Sequence, residues 1–116
     1  MAVLYAQTTQ VPIFAYFPPA PIPGLSLTLP EGVGEQVIVT LNVPSSWTSS
    51  SAGASFGISI DGQSSPISAT YNASPQAHVP TTLVVGVPLT MKPQTVVALA
   101  GSCVIDGVAT LSAIMA

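Results

Sequence analysis

Few side chains in this sequence can do acid–base, ionic or nucleophilic chemistry. The acids are Glu31, Glu35, Asp61 and Asp106, Lys92 is the single base, and His78 and Cys103 complete the set. Catalysis on polar substrates uses positioned acids, bases and fixed charges, and this set builds few constellations. Asp61 and Asp106 each precede a glycine, a turn composition in which Asp serves its own backbone. No cluster of His, Cys, Asp or Glu has metal-ligand spacing, so neither a metal nor a cofactor is expected. A glycine-rich phosphate loop and a Gly-x-Ser-x-Gly elbow are absent. Cys103 lies in Gly101-Ser102-Cys103-Val104, which reads as a small buried hydrophobe; activation as a nucleophile would require His78. A non-catalytic protein is expected.

The polar segments suit neutral ligands better. Trp47 sits in Ser45-Ser46-Trp47-Thr48-Ser49-Ser50-Ser51. An aromatic ring among hydroxyls can cover the apolar face of a sugar while the hydroxyls bond its edges; it can equally plug one end of a fold or fill an interface. Thr70-Tyr71-Asn72 ends a strand at a second polar segment, where Tyr71 can stack, hydrogen-bond or sit at a rim. His78 reads as a surface-loop residue or as a binding group.

Elements that alternate with a period of two must position these residues. Val11 to Phe17 alternates and is stopped by Pro18-Pro19-Ala20-Pro21. Leu25, Leu27 and Leu29 form an inward row before a turn at Pro30-Glu31-Gly32. Val37, Val39, Leu41 and Val43 form the clearest row, with Pro44 expected to end that strand and Ser45 to Gly53 to form a loop. Phe56, Ile58 and Ile60 precede a turn at Asp61-Gly62. Further strands are expected over Ile67 to Tyr71, Leu83 to Leu89, Thr95 to Leu99 and Ala109 to Met115, with Asn72 to Val79 a polar loop, Lys92-Pro93 a turn, and Pro88 marking an edge or a bulge. The final strand, small and apolar, is expected to be central. Eight or nine short strands at regular spacing predict an antiparallel sandwich or jelly roll in a single domain, residues 1–116.

Composition limits the partners. Only 4% of the 116 residues are charged and the formal net charge is −3, against about 25% charged in ordinary soluble domains. Without clustered Lys or Arg, nucleic acid and anionic membrane surfaces are poor partners. No run approaches the length of a membrane span, so membrane insertion is not expected. The start of the chain lacks a basic n-region, and Gln7-Thr8-Thr9-Gln10 interrupts its apolar run, so no signal peptide is expected. Synthesis in the cytoplasm with export by another route stays open. Several strands are apolar on both faces, among them Val37-Ile38-Val39 and Leu83 to Val87. A sandwich has only one inner face per strand, so the second face is expected to be buried against other subunits.

An ordered set of short matches runs along the whole chain: Ile22-Pro23-Gly24-Leu25; Gln36-Val37-Ile38 leading into Leu41-Asn42-Val43-Pro44; Thr70-Tyr71; Pro80 with Thr82-Leu83-Val84; Ile105-Asp106; and Leu111-Ser112-Ala113-Ile114. In these the sequence resembles the TNF-like N-terminal fucose-binding lectin domain of Burkholderia superlectins. The resemblance implies a TNF-like all-β jelly roll assembled as a homotrimer. It also implies calcium-independent pockets for fucosylated or other neutral glycans between protomers. Carried over by position, Trp47 stands where the family has a pocket tyrosine, and Thr70 and Tyr71 match a Thr-Tyr pair. Gln76 stands in place of a threonine, His78 in place of a sugar-gripping arginine, and Asp106 matches an acid. Gly57 falls where the family has a second tyrosine, and the segment that carries a second arginine is shorter here. The implied carbohydrate site is therefore Trp47, Thr70, Tyr71, Gln76, His78 and Asp106. The same jelly roll without a sugar pocket, as a structural trimeric head of a phage fibre or surface assembly, is the alternative.

Overall fold

A computed structural model of the chain describes residues 3–16, 18–48, 53–62, 67–72 and 77–115. Ten strands account for most of them: β1 (Leu4–Gln7), β2 (Ile13–Ala15), β3 (Ala20–Leu29), β4 (Gln36–Trp47), β5 (Ala54–Ile60), β6 (Ile67–Tyr71), β7 (Val79–Pro88), β8 (Gln94–Gly101), β9 (Cys103–Ile105) and β10 (Thr110–Met115). They form two antiparallel sheets in a sandwich-like arrangement. The first runs β1-β10-β4-β9-β2 with β7 on the other side of β4; the second runs β3-β8-β5-β6.

Strand β4 organises the first sheet. Val37 to Asn42 pair with β10, and Ser46 and Trp47 pair with β9. Strands β1 and β2 in turn pair with β10 and β9. The six segments thus lie in four lanes, two of them interrupted midway. The interruption is pinned by Thr8, whose Oγ1 accepts the Ala109 amide at 3.1 Å while its own amide donates to the Ala109 carbonyl at 3.0 Å.

One-sided burial explains the alternation. Val37, Val39, Leu41 and Val43 of β4 meet Leu25, Leu27 and Leu29 of β3, Phe56 and Ile58 of β5, and Val96 and Ala98 of β8 in one core. Ile67–Tyr71 forms as expected, and β10 is central, held between β1 and β4.

Four expectations are corrected. Pro44 does not end β4; the strand runs on to Trp47, and the register against β7 shifts between Val43 and Ser46. A bulge absorbs the missing amide donor there. Consequently Trp47 is a strand residue paired with Val104, not a loop residue. Pro18-Pro19-Ala20-Pro21 breaks the chain only briefly, because β3 starts at Ala20 on the edge of its sheet, where proline is tolerated. Of the expected Val11 to Phe17 strand, Ile13–Ala15 forms among the described residues, and Phe17 lies outside them. The expected Ser45 to Gly53 loop lies partly, at 49–52, outside the described residues, as do 73–76 of the Asn72 to Val79 loop.

Candidate functional site

The outward faces of the two sheets differ in chemistry. The second sheet presents Ser26, Thr28, Ser68, Thr70 and Thr95, all exposed. The first presents three zones along β4. At one end Tyr5, Ile38, Val84 and Ile114 stand 58%, 37%, 60% and 47% exposed. Register sets Ile114 beside Ile38, and Thr40 beside both Ser112 and Val84. Next comes a polar row of Gln7, Thr110, Asn42 and Thr82, each facing the next, in which the Thr82 hydroxyl donates to Asn42 Oδ1 at 3.1 Å. Beyond the bulge, Phe14, Val104 and Trp47 lie side by side across β2, β9 and β4.

At this last end a polar cluster forms. Asp106 Oδ2 is 2.9 Å from His78 Nδ1, and Ser45 Oγ lies 3.1 Å from the same nitrogen. The Asp106 amide donates to the Ser45 carbonyl at 3.2 Å. The β4 bulge turns Ser45 toward the interruption between β9 and β10, and His78 enters from the residue before β7. A carboxylate only accepts hydrogen bonds, so the imidazole proton sits on Nδ1 and points at Asp106. Nε2 is then an acceptor on a ring whose side chain is 57% exposed. Asp106 Oδ1, by contrast, is buried and accepts no hydrogen bond from a described residue. A nucleophilic relay needs serine and carboxylate on opposite ring nitrogens. Here both share Nδ1, so Ser45 is not activated through His78.

Tyr71 reaches the same end from inside. Its ring packs against the core and stacks with Phe56 at 6.3 Å and 19°. Its hydroxyl meets Ser46 Oγ at 2.9 Å, and Ser46 donates in turn to the Val79 carbonyl at 3.3 Å. The close pass of the chain that precedes β5 depends on Gly53, with φ +82°, where a Cβ would stand 2.8 Å from the Tyr71 carbonyl. Burial pushes the Tyr71 phenol above its ordinary value; the Ser46 bond opposes this, and the nearby Cys103 and Asp106 add to it.

Of the six expected residues, His78 and Asp106 touch, Tyr71 joins them through the Ser46 side of the bulge, and Trp47 stands on the outward face two positions past Ser45. Thr70 does not join them. Adjacent strand residues face opposite ways, so Tyr71 turns inward and Thr70 outward, beside a shallow cleft of about 200 Å³ with Ser55, Gly57 and Ser68. Gln76 lies outside the described residues. Ser45 and Phe14 were not foreseen. The hydroxyl run around Trp47 was the available signal for Ser45, and the alternation Ile13-Phe14-Ala15 was the signal for Phe14. Among the described residues no three of His, Cys, Asp and Glu stand close enough to hold a metal ion. Cys103 is buried, its thiol pushed up to about 11 by desolvation. No protein-family model matches the chain, and no curated protein matches it.

Proposed function

We propose that this protein is a non-catalytic, calcium-independent lectin, a jelly roll that assembles as a homotrimer and binds neutral glycans, fucosides first among them, at seams between protomers. The observation that carries the reading is the cluster of Ser45, His78 and Asp106 on the same outward face as the half-buried Trp47. It offers an acceptor at Nε2, a hydroxyl at Ser45 and aromatic surface nearby, which is the mix a sugar's hydroxyl edge and apolar face require. Glycine at position 57 and the lack of an arginine fork favour a shallower grip than a charged clamp would give.

Strand order supports the jelly-roll part of the reading. With β1/β2 as lane A, β3 to β8 as B to G, and β9/β10 as H, the sheets run A-H-C-F and B-G-D-E, the order of two interleaved Greek keys. The apolar zone of Tyr5, Ile38, Val84 and Ile114 supports assembly, since a lone soluble subunit gains nothing from exposing it.

Calorimetry with fucosides and a panel of neutral monosaccharides tests the proposal. Saturable binding weakened about fivefold by Trp47→Ala, from the loss of about 1 kcal/mol of ring contact, is the expected result. No binding of any glycan at millimolar concentration removes the lectin reading. The inward packing of Tyr71 on Phe56 favours a second reading, a purely structural trimeric module, and that reading stands if the trimer forms but no glycan binds.

A further inference from the structure

An apolar cavity lies at the other end of the sandwich, where β4 begins. It measures about 640 Å³. At about 3.3 Å per residue along β4, Val37 at its floor is roughly 25 Å from Ser45. Its floor is apolar: Leu29, Val37 and Ala113 lie buried beneath it, and the half-buried Leu4 and Met115 with the exposed Pro30 and Pro93 supply its reachable surface. Glu31 and Glu35, both exposed, stand at its mouth.

In a chain with four acids, two at one apolar opening make a local field of a single sign. Lys92, in the turn before β8, does not neutralise them, because the ion pair found among the described residues is His78–Asp106. Glu35 is held in place: its amide donates to Gly32, and its carbonyl accepts from Leu89. A carboxylate cannot enter past two carboxylates without repulsion. A neutral alcohol gains the floor but nothing from the rim. An ammonium group on an apolar body gains both.

From this geometry we infer that the cavity binds a cationic amphiphile, an alkyl or aryl ammonium whose apolar part lies against Leu4, Pro30, Pro93 and Met115, above Leu29, Val37 and Ala113, and whose charge lies beside Glu31 and Glu35. The site is separate from the Ser45–His78–Asp106 cluster and does not depend on the lectin reading.

Titration calorimetry with n-octylammonium, n-octanol and n-octanoate, each below its aggregation threshold, tests this. Octylammonium is expected to bind saturably, one per chain, and tightest of the three, with octanoate weakest. The double variant Glu31→Gln/Glu35→Gln, at exposed positions that leave the core intact, is expected to weaken octylammonium about fivefold and leave octanol unchanged. Amide shifts on binding are expected at Leu29, Val37 and Ala113. The inference is overturned if no probe binds saturably, if octanoate binds as tightly as octylammonium, if the double variant keeps the preference, or if the shifts fall instead on Tyr5, Ile38 and Val84, which would mean adsorption to the apolar sheet face.

Discussion

Raising the pH is a direct probe of the core. Cys103 is 4% exposed on the inward face of β9, and desolvation pushes its thiol from the ordinary 9.0 to about 11. The unfolded chain releases this proton near 9 and the folded chain holds it until about 11. The folded state therefore binds one more proton in that interval, and stability falls as pH rises through it. Below 9 the contribution is fully present; above 11 it is lost. At about 1.4 kcal/mol per pH unit, the loss across the interval is about 3 kcal/mol, a large share of the roughly 5–15 kcal/mol that holds a domain folded. Tyr71, raised by burial above its ordinary 10.0, adds a loss of the same sign at higher pH. Cys103→Ala separates the two, because it removes the thiol's share, leaves the burial that is the largest cause of the Tyr71 shift, and costs about 1 kcal/mol of packing. Urea unfolding is followed at a series of pH values, with the m-value checked for constancy. The wild-type midpoint should fall more steeply than the variant's between pH 9 and 11. Parallel curves would refute the argument, showing that the thiol ionises as readily folded as unfolded.

Three other perturbations address separate parts of the structure. Asp61, at φ +52°, accepts the Thr95 amide on Oδ1 at 2.8 Å, so Asp61→Ala should cost about 2 kcal/mol in thermal or urea unfolding and Asp61→Gly about half that, since glycine relieves the backbone but not the lost bond. Val84→Asp, on the outward face at 60% exposure, should convert the proposed trimer to folded monomer in sedimentation velocity, with unchanged circular dichroism. At the proposed glycan site, His78→Phe, which removes the Nε2 acceptor, should weaken binding; calorimetry that finds the same affinity in the variant assigns Nε2 no role in the grip.

Much of the scaffold was legible because burial on one face forces a period of two. The rows of β3, β4 and β5 follow from it, and so does the central place of β10. What escaped reading depended on partners that a local pattern does not contain. Pro44 looks like a terminator, yet a bulge carries β4 past it, and this one irregularity moves Trp47 from a loop onto a sheet face and turns Ser45 toward His78. The pairing of His78 with Asp106 spans residues far apart in sequence and arises only when β7 and β9 flank opposite sides of β4. The opposed directions of Thr70 and Tyr71 were readable, since neighbours on a strand always face apart; treating them as a pair obscured it. The Glu31 and Glu35 mouth was hidden for another reason: a turn composition explains Glu31, no local pattern singles out Glu35, and only the gap between the sheets sets them at an apolar opening.

The proposed assembly and the proposed grip are coupled by their shared sheet face. The apolar zone and the His78 cluster occupy the two ends of β4, with the row Gln7, Thr110, Asn42 and Thr82 between them. This row is the natural rim of an interface, because its groups bond one another or water without burial. In the proposed assembly, a copy that covers Tyr5, Ile38, Val84 and Ile114 would bring its own edge up to that row and turn the open face around Trp47 into one wall of a groove. Affinity for a sugar must then track assembly, since dilution into monomers removes the opposite wall while leaving every residue of the cluster in place. The lone subunit would keep its fold and its Asp106–His78 contact and yet lose most of its hold on the ligand, a separation that mutation of the cluster alone cannot produce.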